Sequence, residues 1–214
     1  MFPGAALAKT LGTAANWKDM LELPPARYEF RIFTRHGSDL VERLRNLRGG
    51  ERETDGGRQT YILAPSREHI GVKLRGGRLE VKEMIGTDGR LQLWRYRYLG
   101  ALPVTAAELR EHVFEPLGVA ATLDVDAVVS GEEILQIARA LSPPLVLVEL
   151  EKDRTKWPLG PCNVEYAHVH SGPMRATTVA LESRDRQALL DLISELGLNA
   201  YDNESYSSFL LAAA

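Results

Sequence analysis

From Arg27 onward the chain alternates apolar and polar residues with a period of two, the pattern of strands that bury one face. Arg27–Phe33 sets Tyr28, Phe30 and Ile32 on one face and Arg27, Glu29 and Arg31 on the other. The same alternation predicts strands at about 58–64, 69–76, 78–86 and 90–99, then at about 145–157, 162–170 and 175–183. Gly76-Gly77 and Asp88-Gly89 are tight-turn dipeptides, so 69–99 reads as a meander of hairpins. Elsewhere the apolar spacing becomes helical. Ser38 caps a short helix with Leu40, Val41, Leu44 and Leu47, ending at Gly49-Gly50. Thr105 caps a second, with Leu109, Val113 and Leu117, and Ser130 caps a third over Glu132–Leu141, stopped by Pro143-Pro144. Arg184–Leu196 reads as a helix stopped by Gly197, and a final short helix spans Glu204–Leu211. Gly49–Gly57 has the composition of a loop. Residues 1–26 read as a lead-in, with a short helix near Asn16–Leu23, ahead of a single domain over 27–214.

That order gives an α+β fold of mostly antiparallel strands. Strands and helices do not alternate in the parallel manner and no glycine-rich loop follows a strand, which argues against dinucleotide and P-loop folds. Composition removes further classes. The single cysteine, Cys162, excludes an intrachain disulfide and a four-cysteine zinc site. No run of 18 apolar residues is present to span a membrane as a helix. The first residues lack the basic start and unbroken apolar stretch of a secretory signal, so a cytoplasmic location is expected. A net charge of −3 on 214 residues offers no global attraction for nucleic acid or for an anionic membrane, and neither is expected as a partner.

Charge is nevertheless segregated locally. Opposite the apolar faces stand Arg31, Lys73, Arg75, Lys82, Arg95, Arg97, Lys152 and Arg154, with Glu29, Glu80, Glu165 and Glu182 among them. On 91–98, Gln92, Trp94, Tyr96 and Tyr98 share the other face. Alternating charge of this kind is commonly a solvated surface held by cross-strand ion pairs. Here the apolar faces have several helices to cover them, and a sheet whose apolar side lies outward under helices needs a polar inside. The pattern therefore predicts a barrel-like sheet of at least eight mostly antiparallel strands with a cationic lumen. Arg forks and Lys point charges suit phosphate, and the carboxylates could hold a divalent metal bridging phosphate oxygens.

The order of short motifs resembles the CYTH superfamily, the triphosphate tunnel metalloenzymes. The motifs are Glu29-Phe-Arg31, Val72-Lys-Leu-Arg75, Glu80-Val-Lys82, Trp94-Arg-Tyr-Arg97, Glu151-Lys-Asp-Arg154, Glu165 and Val179-Ala-Leu-Glu182, followed by Leu196-Gly-Leu198 and Ser205-Tyr206-Ser-Ser-Phe209-Leu210. The resemblance implies a closed antiparallel eight-stranded β-barrel, or β-tunnel, hydrolysis of a triphosphate or related phosphoanhydride, Mg²⁺ or Mn²⁺ as cofactor, and a small phosphorylated anion (triphosphate, nucleotide or polyphosphate) as partner. It implies Glu29 and Glu182 as catalytic residues, metal ligands drawn from Glu29, Glu80, Glu165 and Glu182, and the eight cations above as phosphate ligands. Two positions depart from the family pattern: Arg27 and Ala180 stand where carboxylates are expected. A non-catalytic binder of phosphorylated ligands and an interaction scaffold thus stay open beside the enzyme, as does the oligomeric state, a homodimer included.

Other residues invite chemistry with less support. His168 and His170 have a chelating spacing but share the outward face with Cys162 and Tyr166, and Cys162 has no readable catalytic partner. Trp17, Trp94 and Trp157 read as core or interface anchors, and the Arg43–Arg48 cluster as a solvated helix face.

Overall fold

The computed structural model describes residues 23–34, 40, 42–44, 47 and 49–214. The predicted cap at Ser38, Val41, most of the lead-in, Trp17 and the helix near Asn16–Leu23 lie outside the described residues. Eight strands close into one barrel: β1 (Arg27–Thr34), β2 (Glu53–Leu63), β3 (Ile70–Arg75), β4 (Arg78–Asp88), β5 (Leu91–Ala101), β8 (Val146–Leu159), β9 (Cys162–Ser171) and β10 (Met174–Ser183). Their order around the barrel is β1-β10-β9-β8-β2-β3-β4-β5, and every neighbouring pair is antiparallel. The α+β class and the eight-stranded antiparallel barrel are as the sequence predicts. Gly76 and Gly77, both at positive φ, make the β3–β4 turn, a conformation that glycine adopts at no steric cost. A two-residue ladder, β6 (Val104–Thr105) with β7 (Val128–Val129), is too short to leave a periodic signal.

Helices cover the outer faces. Helix α1 runs from Ala106–Leu109 through a π turn at Arg110–Phe114 to Glu115–Leu117, and α2 spans Gly131–Ala140. The expected caps are present as capping boxes, Thr105 with Glu108 and Ser130 with Glu133. Together α1 and α2 bury Val113, Phe114 and Ile134 against Ile62, Val72 and Val81 of β2–β4. On the other side α3 (Arg186–Glu195) and the helical residues 42–44 bury Leu189, Ile193 and Leu44 against Phe30, Ile32, Val179 and Leu181.

A third apolar cluster lies inside the barrel. The C-terminal helix α4 (Tyr206–Ala213) brings Tyr206, Phe209 and Leu210 onto Phe33, Tyr61, Leu150, Ala167, Val169 and Ala176. Phe209 stacks on Phe33 with centroids 3.8 Å apart, and Tyr206 meets Tyr61 at 5.4 Å. This helix stoppers one half of the lumen and leaves the other half polar. The barrel seam is narrow: β1 pairs with β5 only from Arg27 to Glu29. Beyond it Asn203 takes the place of a strand, accepting from Arg31 N and donating to Glu29 O and Arg90 O, while Glu204 N donates to Arg31 O.

Strand β2 begins at Glu53, so the stretch up to Gly57 is strand rather than the loop its glycines predict. Its partner supplies the reason. β8 presents Lys156 opposite Glu53 and Arg154 opposite Asp55, and both pairs are bridged, Lys156 to Glu53 at 2.7 Å. Cross-strand ion pairs and a full ladder there override weak local propensity.

Candidate functional site: a charged cavity closed at one end

Antiparallel register fixes which side chains share the lumen, because directly opposed residues point the same way. Glu29 faces Glu182, Arg31 faces Ala180, and Ala180 in turn faces Glu165. On the far side Lys73 lies between Tyr61 and Glu80, and Lys156 lies opposite Glu165. The result is one cavity of about 430 Å³ lined by eight cations and six carboxylates. Of the expected phosphate ligands, Arg31, Lys73, Arg75, Lys82, Lys152 and Arg154 line it, as do all four expected metal ligands, Glu29, Glu80, Glu165 and Glu182.

Arg95 and Arg97 stand elsewhere, which corrects their expected placement in the lumen. Both side chains lie on the outer face and bind Glu83, at 2.7 and 2.9 Å. Trp94 and Tyr96, on the opposite face of β5, line the cavity instead. The cause is local. β5 carries an extra residue, Arg97, where the register slips between Val81 and Lys82, so Tyr98 joins the outer core while Tyr96 faces in opposite Lys82. Lys82 Nζ sits 4.9 Å from the Tyr96 ring centroid, a cation–π contact. Alternation alone could not choose this face, because both faces of 91–98 mix polar and apolar groups.

Inside, the charges form three groups. Glu165 Oε1 binds Lys152 at 2.7 Å and Arg31 at 3.1 Å, while its Oε2 reaches Arg154 at 3.3 Å. Burial opposes its ionisation, but the three cations outweigh it and hold the carboxyl well below the usual carboxylate range. Burial also brings Lys152 down to about 8, against the pull of Glu165. Glu80 pairs with Lys73 at 2.7 Å and Arg75 at 3.1 Å. The third group is the opposed pair Glu29 and Glu182. Arg31 holds Glu29 at 2.9 Å, whereas the cations paired with Glu182 stand farther off, Arg27 at 3.7 Å and Lys82 at 3.9 Å. Burial, together with the charge of Glu29, therefore raises Glu182 despite Lys82, while Arg31 and Lys82 overcome burial at Glu29 and lower it.

Among the described residues no three His, Cys, Asp or Glu side chains gather as a metal site. Glu80 is bound by two cations and Glu165 by three, whereas Glu29 has one close cation, Arg31, and those near Glu182 stand 3.7 Å or more away. Glu29 and Glu182 are the pair that fits a divalent ion: adjacent hard oxygen donors whose mutual repulsion such an ion relieves. Mg²⁺ needs only one or two carboxylates when phosphate and water complete its shell. The donor set suits one ion, and a two-metal arrangement does not fit it.

Several lining residues were not singled out by pattern: Tyr61, Lys156 and Tyr206, with Trp94 and Arg27 given other roles. Tyr61 does carry a signal, since it falls on the same alternating face as Gln59. Tyr206 carries none, because nothing in a short C-terminal helix says that it enters the barrel. His168 and His170 lie on the outer face; His168 bonds Tyr166, at 2.8 Å, and His170 meets Glu151 at 3.0 Å. No described helix is long and apolar enough to cross a membrane.

No protein-family model and no curated protein matches the chain. Among solved structures it is similar to a conserved hypothetical protein of Pyrococcus furiosus, at 16% identity and TM-score 0.48, over 85% of this chain and 98% of the other. It is also similar to a candidate adenylyl cyclase of Hippeastrum with a dominant triphosphatase activity, at 9% identity and TM-score 0.46, over 87% and 93%. The S. pombe RNA triphosphatase, solved with the Spt5 C-terminal domain, is similar at 10% identity and TM-score 0.31, over 88% and 80%. A closed ring of eight antiparallel strands, apolar outside under helices and charged within, is the architecture that the resemblance of the sequence motifs implies.

Proposed function

We propose that the chain binds the triphosphate group of a phosphorylated substrate in this cavity and hydrolyses a phosphoanhydride there. The observation that carries the reading is the convergence of eight Lys and Arg side chains on one enclosed space of about 430 Å³, in a protein of net charge −3. Six carboxylates line the same space, and the remaining excess of positive charge favours a compact polyanion. Arg75, partly solvated at the cavity wall, offers forked donors to phosphate oxygens, Lys73 and Lys82 supply point charges, and Arg154, whose donors bind Asp55 and Glu165, adds its charge. These cations neutralise the charge that spreads over the transferring phosphoryl group. Glu29 and Glu182 would hold Mg²⁺ or Mn²⁺, which when bound polarises a phosphate oxygen and the attacking water. Nucleotides, inorganic triphosphate and short polyphosphates share the group recognised.

A second reading, binding without turnover, is favoured by Arg27. Its guanidinium stands 3.7 Å from Glu182 at a position where the family resemblance implies a carboxylate. One screen separates the two. Phosphate release from inorganic triphosphate and nucleoside triphosphates is followed with Mg²⁺ or Mn²⁺, and Tm is followed with phosphate, pyrophosphate and triphosphate at equal ionic strength. Triphosphate should raise Tm most, by mass action on the folded state. Arg154→Ala should cut that rise, whereas Arg95→Ala, on the outer face, should leave it intact. A rise without phosphate release assigns the binder, and a flat response to all three anions removes both readings.

A further inference from the structure

Three buried side-chain polar atoms among the described residues have no hydrogen-bond partner: Arg97 Nε, Trp157 Nε1 and Tyr206 Oη. Arg97 is on the outer face, and Trp157, though it too touches the cavity, packs its ring in the outer core. Tyr206 differs, because it lines the charged cavity at the end closed by α4.

Two cations, both also paired with Glu165, lie against its ring. The Arg31 guanidinium carbon lies 4.5 Å from its ring centroid and Lys152 Nζ lies 4.9 Å away. Ser205 and Ser207 line the cavity beside it, so the amino end of α4, where helical N–H groups lack intrahelical partners, opens onto the same space. The two serine hydroxyls are already committed. Ser205 Oγ accepts from Ser208 N, and Ser207 Oγ donates to Ile70 O. Packing does not explain the tyrosine hydroxyl either. Its neighbours Phe33 and Phe209 fill the same plug with rings that carry no polar atom, and a phenylalanine at 206 would make the same ring contacts without burying an unpaired donor. Burial moves the phenol upward, so it stays a donor throughout the neutral range.

We propose that Tyr206 Oη donates a hydrogen bond to an oxygen of the anion held in the tunnel, making the closed end a subsite for the innermost phosphoryl group. The proposal rests on the triphosphate-binding reading and names the residue that completes it. An acceptor from the ligand removes the one polar deficit in the plug, so the same atom that costs stability in the free protein contributes affinity in the complex.

The test is Tyr206→Phe in the full chain, with inorganic triphosphate as ligand in titration calorimetry and thermal unfolding followed without ligand. The expected result is a ligand-free Tm equal to or above that of the wild type, with affinity for triphosphate weakened on the order of tenfold, as for a hydrogen bond to a charged acceptor. The salt dependence of binding should keep its slope, because no cation has been removed. Wild-type affinity in the variant would overturn the proposal, and so would weaker binding accompanied by a lower ligand-free Tm, which marks a packing role. If the wild type itself binds no triphosphate, the reading of the tunnel fails first and the subsite fails with it.

Discussion

Glu165→Ala is expected to cost the fold about 3–5 kcal/mol, the range for breaking a buried ion-pair group by removing one member. Three cations converge on this carboxylate, and none of their side chains is more than 12% exposed. With Glu165 gone, Arg154 keeps Asp55 and Arg31 keeps Glu29, but Lys152 loses its carboxylate partner in a site that already disfavours its charge. Mutual repulsion among the three then adds to their desolvation. Chemical denaturation should report the loss as a lower midpoint with an unchanged slope. Inorganic triphosphate should restore more stability to Glu165→Ala than it adds to the wild type, since the ligand then supplies the missing negative charge. A loss under about 1 kcal/mol, the scale of an exposed pair, would mean that water screens this group far more than its burial implies.

Glu182→Gln is expected to reduce phosphate release by a factor on the order of 100 or more while triphosphate binding persists or tightens. The amide keeps the shape of the side chain and removes the charge that, opposite Glu29, would hold a divalent ion. It also removes an anion that pairs with Lys82 and Arg27, which leaves both cations freer for the ligand. Because burial and the charge of Glu29 raise Glu182 in the ion-free protein, protons should compete with the divalent ion, and the metal concentration needed for turnover should rise as pH falls. Phosphate release with Mn²⁺ and calorimetric binding, measured on the same preparation, check both halves. Turnover within threefold of the wild type would deny Glu182 any part in the chemistry.

The strands that were legible are those in which apolar and charged residues strictly alternate. In Ile70–Arg75 the buried positions are Ile70, Val72 and Leu74, with Lys73 and Arg75 turned to the lumen, as the period of two requires. The inversion that sends the apolar side outward was legible too, from the supply of helices to cover it. What failed was a strand with a bulge. One extra residue in β5 rotates every side chain beyond it to the other face, and neither Arg95 nor Tyr96 carries a mark of that shift. The closed end of the cavity was illegible for a different reason. Leu210 and Phe209 read as buried, but burial in the lumen and burial on the outer surface leave the same pattern on a short helix. Only the path of residues 196–205, which carries the chain from α3 to the mouth of the barrel, decides between them.

The seam between β1 and β5 sets a risk that has nothing to do with the ligand. A closed ring has no edge strand, and closure here depends on three residue pairs and the amide of Asn203. Were that amide lost, Glu29, Arg31 and Arg90 would give up main-chain partners together, and the Arg27–Glu29 pairs and the bond from Glu204 N to Arg31 O would be left to keep two strand borders from opening. Each border is a template on which another copy can add a strand. Asn203 does not line the charged cavity, yet its amide helps to keep the ring from presenting two open borders.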